Sequence, residues 1–235
     1  MIAAQLQTVR ARMVAACLAA GRDPNEVALL AVSKTFGPNA VAQAYAAGQT
    51  AFGENYIQEA LEKMASLRQL PLQWHCIGPI QGNKTRLVAE NFAWVHTVDR
   101  YRIAQRLSEQ RPATLQPLRV CIRVNVDGGP TKSGVAPADA LALAREVAAL
   151  PRLTLRGLMC IPEPAPDFAA ACAVFSRAKA LFDAMNRAGM GLDTLSLRMT
   201  AALASALPRR STQATVGRPV LRRSPWVNRV ALRSG

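Results

Sequence analysis

No run of apolar residues in this chain approaches the ~20 needed to span a bilayer. Nor does the N-terminus show a basic segment followed by an apolar signal core, so the expected location is the cytoplasm with no membrane partner. Cysteine pairs in CxxC spacing and Cys/His ligand patterns are missing. The five cysteines, Cys17, Cys76, Cys121, Cys160 and Cys172, therefore read as reduced, mostly buried thiols, and no metal is expected. There is no GxGxxG turn and no Walker-type loop. Histidine is scarce: His75 and His96 lie on different segments without metal or triad spacing, which removes metal and Ser-His hydrolase chemistry and leaves two hydrogen-bonded core histidines. Acidic residues are few, 15 against 29 Lys and Arg, for a net charge of +14. Eight arginines and no Asp, Glu or Lys lie between Ser196 and Gly235, so this end supplies +8 of that charge. It has no aromatic stacking series and no nucleic-acid module, so residues 218–235 read as a solvated basic tail and nucleic acid is not an expected partner.

What is present is a chain of 235 residues, half of them hydrophobic, enough for one sizeable core. The first segment carries Leu6, Val9, Met13 and Cys17 on one helical face, with Gly21 as its stop. Eight strand-like runs follow, over 27–33, 50–53, 72–77, 93–98, 118–126, 154–161, 192–197 and 212–216. Helix-like stretches lie between them at 39–47, 56–67, 83–90, 101–110, 137–149 and 167–188, with a weaker one at 200–207. Strands alternating with helices imply a parallel sheet, and eight such units close into a barrel. The expected fold is α/β: one (β/α)8 TIM-type barrel over residues 1–235 with an extra N-terminal helix. Its last βα unit is the weakest, because Pro208, Arg209 and Arg210 interrupt the seventh helix and an internal proline costs ~3 kcal/mol.

Barrel chemistry gathers at the C-terminal ends of the strands. Lys34 ends the first apolar run, just before Phe36-Gly37-Pro38, the stretch expected to form the turn. Burial disfavours an ammonium and lowers its pKa, and an unprotonated lysine condenses with carbonyls, pyridoxal phosphate being the commonest biological aldehyde held that way. The alternative is a snorkelling lysine whose head merely reaches water. Glu54 and Asn55 end the second run, and His75 lies on the third. On the fifth, Leu118, Val120, Ile122 and Val124 share one face and leave Arg119, Cys121, Arg123 and Asn125 for the lumen. An inward Arg123 needs an anion, either a structural carboxylate or a ligand.

Several segments carry a more specific likeness. Ala31-Val32-Ser33-Lys34-Thr35, Phe52-Gly53-Glu54-Asn55-Tyr56, His75-Cys76-Ile77-Gly78-Pro79-Ile80-Gln81-Gly82-Asn83-Lys84, Val124-Asn125-Val126 with Lys132-Ser133-Gly134, and Gly157-Leu158-Met159 occur in that order. Together they resemble the pyridoxal phosphate homeostasis protein family, which is similar to the barrel domain of alanine racemase without the racemase's second domain. The resemblance implies that the cofactor is pyridoxal 5'-phosphate, that Lys34 holds it as a Schiff base and that Asn55 lies beside it. It places His75, Ser196, Gly217 and Arg218 in the same site. It further implies a monomer that stores pyridoxal phosphate or delivers it to apo-enzymes, with no assigned reaction.

The last fifth departs from that pattern. Ser196-Leu197-Arg198-Met199-Thr200 stands where the family has Ser-Met-Gly-Met-Ser, and Thr215 takes the place of an arginine that faces the pyridine nitrogen. The family's glycines let backbone N–H groups approach the phosphate, which a Cβ obstructs. Arg198 or Arg218 is then the candidate for an electrostatic anchor. Two accounts of this end stay open, drift with spacing kept and a partly misread coding sequence; segments from Ser196 to Gly217 align without a gap, which argues against one simple frame change before Gly217. Three function classes stay open: a cofactor-binding homeostasis protein, a pyridoxal phosphate-dependent amino-acid racemase, and a degenerate barrel or basic-tail binder without cofactor.

Overall fold

The structure is a computed structural model; it describes residues 1–128, 133–162, 167–199 and 213–216. Helix α1 (Ile2–Ala19) precedes the barrel and buries Leu6, Val9, Met13 and Cys17, the face its spacing predicts. The chain then alternates β1 (Ala28–Val32), α2 (Pro38–Ala46), β2 (Ala51–Glu54), α3 (Ile57–Ser66), β3 (Gln73–Cys76), α4 (Thr85–Asn91), β4 (Trp94–Val98) and α5 (Tyr101–Gln110). β5 (Leu118–Arg123), α6 (Ala140–Ala148), β6 (Leu153–Cys160), α7 (Phe168–Arg187), β7 (Thr194–Met199) and β8 (Gln213–Val216) complete it. Each strand pairs in parallel with the next, and β8 pairs back onto β1, with Ala28 opposite Gln213 and Ala31 opposite Val216. The expected eight-stranded barrel is therefore closed. The helix expected at 200–207 and the tail 218–235 lie outside the described residues.

Strand alternation sorts the side chains into two layers. Leu29, Ala31, Phe52 and Trp74 join the large core between sheet and helices, whereas Leu30, Val32 and Ile77 cluster inside the lumen. Trp94, Cys121 and Met159 form a second lumen cluster. On β5 the outward set is the predicted one, since Leu118, Val120, Ile122 and Val124 all belong to the sheet–helix core. That strand ends sooner than its apolar run. The Val124 N–H still donates to Met159 O at 2.9 Å but Val124 bridges to Val135, and the Asn125 side chain accepts from the Gly128 N–H at 3.1 Å, turning the chain away. Helix α6 likewise starts at Ala140 rather than near Pro137.

α1 has no side-chain cap, so its attachment is tertiary. Arg10 reaches the last carbonyls of the α2 end, Ala47 O at 3.0 Å and Gly48 O at 2.7 Å, groups that the helix itself leaves unpaired. Among the described residues no helix is long and apolar enough to cross a membrane.

Two glycines fix how closely neighbouring elements approach. A Cβ on Gly157 would lie 1.6 Å from the Thr194 carbonyl oxygen on β7. One on Gly78 would lie 2.2 Å from the Asn55 carbonyl oxygen, so the β3–α4 turn packs directly on the segment after β2. By contrast, Gly21 has a positive φ of 64° and open space around it. Gly157→Ala is therefore expected to lower unfolding free energy by at least about 3 kcal/mol, against about 1 kcal/mol for Gly21→Ala. Urea denaturation of both variants measures the difference, and equal losses would contradict this packing.

Candidate functional site

The C-terminal mouth of β1 is where the sequence places its reactive amine. Ser33 follows the strand, and its carbonyl accepts from the Phe36 N–H at 3.0 Å, closing a four-residue turn with Lys34 second and Thr35 third. Thr35 has φ +66°. A positive φ at the third position is the type II arrangement, which favours glycine; a β-branched residue there is held against a cost of about 1–3 kcal/mol. The turn thus lies one step before the Phe36-Gly37-Pro38 stretch expected to form it. Lys34 is half-buried at this corner.

Outside the barrel wall, a buried charged cluster surrounds the turn. Lys63 on α3 is only 3% exposed, and Glu54 at the end of β2 only 1%. The Lys63 ammonium donates to Ser33 O at 2.8 Å and to Glu54 Oε1 at 2.7 Å, and it lies 2.6 Å from Glu59 Oε1. Ser33 Oγ donates to the same Glu54 oxygen at 2.6 Å, and the Thr35 N–H donates to Glu59 Oε1 at 2.7 Å. Burial pushes the Glu54 carboxyl upward, with the Lys63 and Ser33 bonds working against it. Lys63 is a site residue that sequence reasoning missed. The signal available was its i,i+4 relation to Glu59, which also describes any solvated helix pair.

Inside the lumen a second polar group runs across the barrel. His75 Nε2 meets Gln73 Oε1 at 3.1 Å, His75 Nδ1 meets His96 Nε2 at 2.9 Å, and His96 Nδ1 meets Ser196 Oγ at 2.9 Å. With Gln73 offering its oxygen, His75 donates downward from Nε2 and accepts from His96, which in turn accepts from the Ser196 hydroxyl. Every bond in the column then points one way. Trp94 stacks on His75 at 5.4 Å between ring centres, and the Arg119 and Arg156 guanidinium carbons lie 5.6 and 5.2 Å from the Trp94 ring centre. Both imidazoles are held neutral by burial, His75 well below its ordinary range and His96 at about 3. The reading of two hydrogen-bonded core histidines is what the geometry has. Burial also raises the Cys76 and Cys160 thiols to about 12, so neither offers a thiolate near neutral pH.

Of the residues expected in the site, Lys34 and Asn55 follow adjacent strands, in register with the Val32–Gly53 pair. His75 and Ser196 meet through His96. Gly217 and Arg218, together with Thr200, lie outside the described residues. Among the described residues no group of three His, Cys, Asp or Glu could hold a metal.

Because the two imidazoles bind protons more weakly when folded, acid favours the unfolded chain. Their contribution is complete above about pH 6.5 and is lost as pH falls toward about 3 for His96, at about 1.4 kcal/mol per pH unit for each group over its own range. Glu54, raised rather than lowered, opposes this only in the carboxylate range. Urea midpoints between pH 7 and pH 4 should fall steeply, with a slope about one proton shallower in His96→Gln. An identical slope in the variant would show that His96 is not buried neutral.

Comparison with known proteins is consistent across sequence and structure. The family model described as alanine racemase, N-terminal domain, matches residues 6–219. A pyridoxal phosphate homeostasis protein of Pseudomonas aeruginosa is 56% identical over 216 residues, covering 92% of this chain and 93% of its own. The protein of the same name from Escherichia coli K12 is 46% identical over 219 residues, covering 92% and 94%. Among solved structures, PipY of Synechococcus elongatus PCC7942 with PLP bound superposes with a TM-score of 0.82 at 32% identity, over 94% of this chain and all of its own. An alanine racemase of Clostridium difficile 630, at 15% identity and TM-score 0.70, covers 92% of this chain and 57% of its own, and shares the fold.

Proposed function

The chain belongs to the pyridoxal phosphate homeostasis protein family, on the alanine racemase N-terminal fold, and from that premise we propose that it binds pyridoxal 5'-phosphate through Lys34 as a cytoplasmic carrier. The observation that carries this is the corner after β1, where a half-buried lysine stands at the mouth of a closed barrel on a turn tied down on both sides. The donor set fits the cofactor at its aldehyde end. Lys34 supplies the amine and Asn55 the adjoining wall, while Ser196 ends the neutral imidazole column on the lumen side. When bound, the cofactor supplies an aldehyde that condenses with an unprotonated amine and releases water.

The chain's own residues do the rest. Both ring nitrogens of each lumen imidazole are already engaged, so no nearby imidazole stands ready to move a proton. That suits storage and delivery to apo-enzymes better than turnover. His75 acts in this reading from below, through His96 and Ser196. Arg198 and Arg218 are the chain's candidates for the phosphate end, and the protein works as a monomer.

Purified protein mixed with pyridoxal phosphate should develop a yellow absorbance band, and borohydride followed by peptide mass spectrometry should place one pyridoxyl group on Lys34. Lys34→Ala should lose both. No band in the wild type, or a label on another lysine, overturns the proposal.

A further inference from the structure

Among the described residues Lys63 is the only lysine in the buried class. Taking an ammonium out of water costs several kcal/mol, and a Lys–Glu pair in such a place is often no more stable than apolar side chains of the same size. A lysine that merely glued α3 to the sheet would be an expensive choice. What distinguishes this one is the place to which its contacts lead. Its three N–H groups face Ser33 O, Glu54 Oε1 and Glu59 Oε1. Those two carboxylates in turn hold the Ser33 hydroxyl and the Thr35 N–H. Both residues flanking Lys34 are therefore fastened, and Lys34 itself lies between them. The Ser33 carbonyl is shared between the Phe36 N–H that closes the turn and the Lys63 ammonium.

The strained residue points the same way. Thr35 occupies the left-handed position where this turn favours glycine, and its N–H is the group that Glu59 receives. Left alone, a β-branched residue would relax to negative φ and swing the Lys34–Thr35 peptide, redirecting the lysine side chain. Alternation completes the picture: Ser33 faces α3 on the outer side, as Leu29 and Ala31 do, so the turn must hand Lys34 back toward the lumen where Leu30 and Val32 lie.

We propose that Lys63, with Glu54 and Glu59, is the positioning cluster for Lys34, holding the Ser33–Phe36 turn in its left-handed form so that the amine meets an incoming carbonyl at the barrel mouth. The proposal rests on the reading of Lys34 as the capturing amine. Lys63 touches no cofactor; it acts through the backbone on either side. A displacement of about 1 Å in such a group costs on the order of 100-fold in rate.

The test separates capture from binding. In Lys63→Met, the rate of borohydride-trappable capture of pyridoxal phosphate at Lys34 should fall by about 10- to 100-fold. Affinity for 4'-deoxypyridoxine 5'-phosphate, which has no aldehyde, should stay within about threefold, a shift of less than about 0.7 kcal/mol. Because Lys63→Met strands buried Glu54, Glu59→Ala is the second variant; Glu59 is part-exposed, and its loss removes the Thr35 acceptor while leaving the Lys63–Glu54 pair. Slower capture is expected there too, with hydrogen exchange at the Thr35 amide at least tenfold faster. Parallel loss of capture and analogue binding would reduce the cluster to general packing and overturn the proposal, as would unchanged capture in both variants. If the wild type takes up neither compound, the reading of the site fails instead. The cluster is then judged by Thr35 exchange and by reductive methylation of Lys34 with formaldehyde, and no change in Glu59→Ala overturns it.

Discussion

Closing eight parallel strands into a barrel leaves each side chain one of two places, the lumen or the layer beneath the helices, and parity along the strand decides which. Every feature of the site follows from that assignment. On β1 it sends Leu30 and Val32 inward and Leu29, Ala31 and Ser33 outward. Ser33 therefore meets Glu54 and α3, and the next residue is the one available to the mouth. On β3 it sends Trp74 and Cys76 to the helices and His75 to the lumen, where His96 and Ser196 complete its bonding. A one-residue slip in β1 would turn Ser33 away from α3, and one in β3 would exchange His75 for Trp74 or Cys76 in the lumen. The closing β1–β8 register, Ala28 with Gln213 through Ala31 with Val216, is thus a condition for the site as well as for the fold.

The two buried polar groups answer the cost of desolvation differently. The lumen column is kept neutral: burial holds both imidazoles deprotonated, and hydrogen bonds run from one partner to the next. The outer cluster is charged and compensates through geometry, with Lys63 offering its three donors to three oxygens. Within that cluster Glu54 Oε2 remains buried with no partner, as does Trp94 Nε1 beside the lumen column. An orphan oxygen of this kind costs about 1–3 kcal/mol, so the cluster is a net expense to stability unless it holds something in place. The strained Thr35 turn is what it touches.

Much of this was legible in the sequence, and the parts that were not share one cause. Strand runs with period-two patterning, the helix face of Leu6, Val9, Met13 and Cys17, and the outward set on β5 are local signals, and each survives into the structure. Lys34 drew attention because it ends an apolar run, but a snorkelling lysine reads the same, and its role came from the family resemblance. Lys63 was not legible. On α3 it sits four residues after Glu59 like any surface pair, and only the approach of Glu54 and Ser33, from two other elements, buries it. The histidines were legible as core residues but not as one column, since the residue that ends it lies a hundred positions from His96. The turn was placed slightly late because Phe36-Gly37-Pro38 carries the familiar turn residues, whereas the left-handed position falls to a threonine that only tertiary contacts can hold.

The divergence of the C-terminal end bears on one part of the site and leaves another intact. The turn that carries Lys34 is built from β1, β2 and α3, and Lys34, Glu54 and Asn55 fall within the segments that carry the family resemblance, whereas Lys63 lies outside them. The departures from the family pattern fall on β7 and β8, where Arg198 stands in place of glycine and Thr215 in place of arginine. Covalent capture depends on the position and protonation of one amine, and phosphate anchoring on donors and charge some distance away. Because different strands supply the two regions, the departures at Arg198 and Thr215 leave in place the contacts of Ser33 and Thr35 on either side of Lys34.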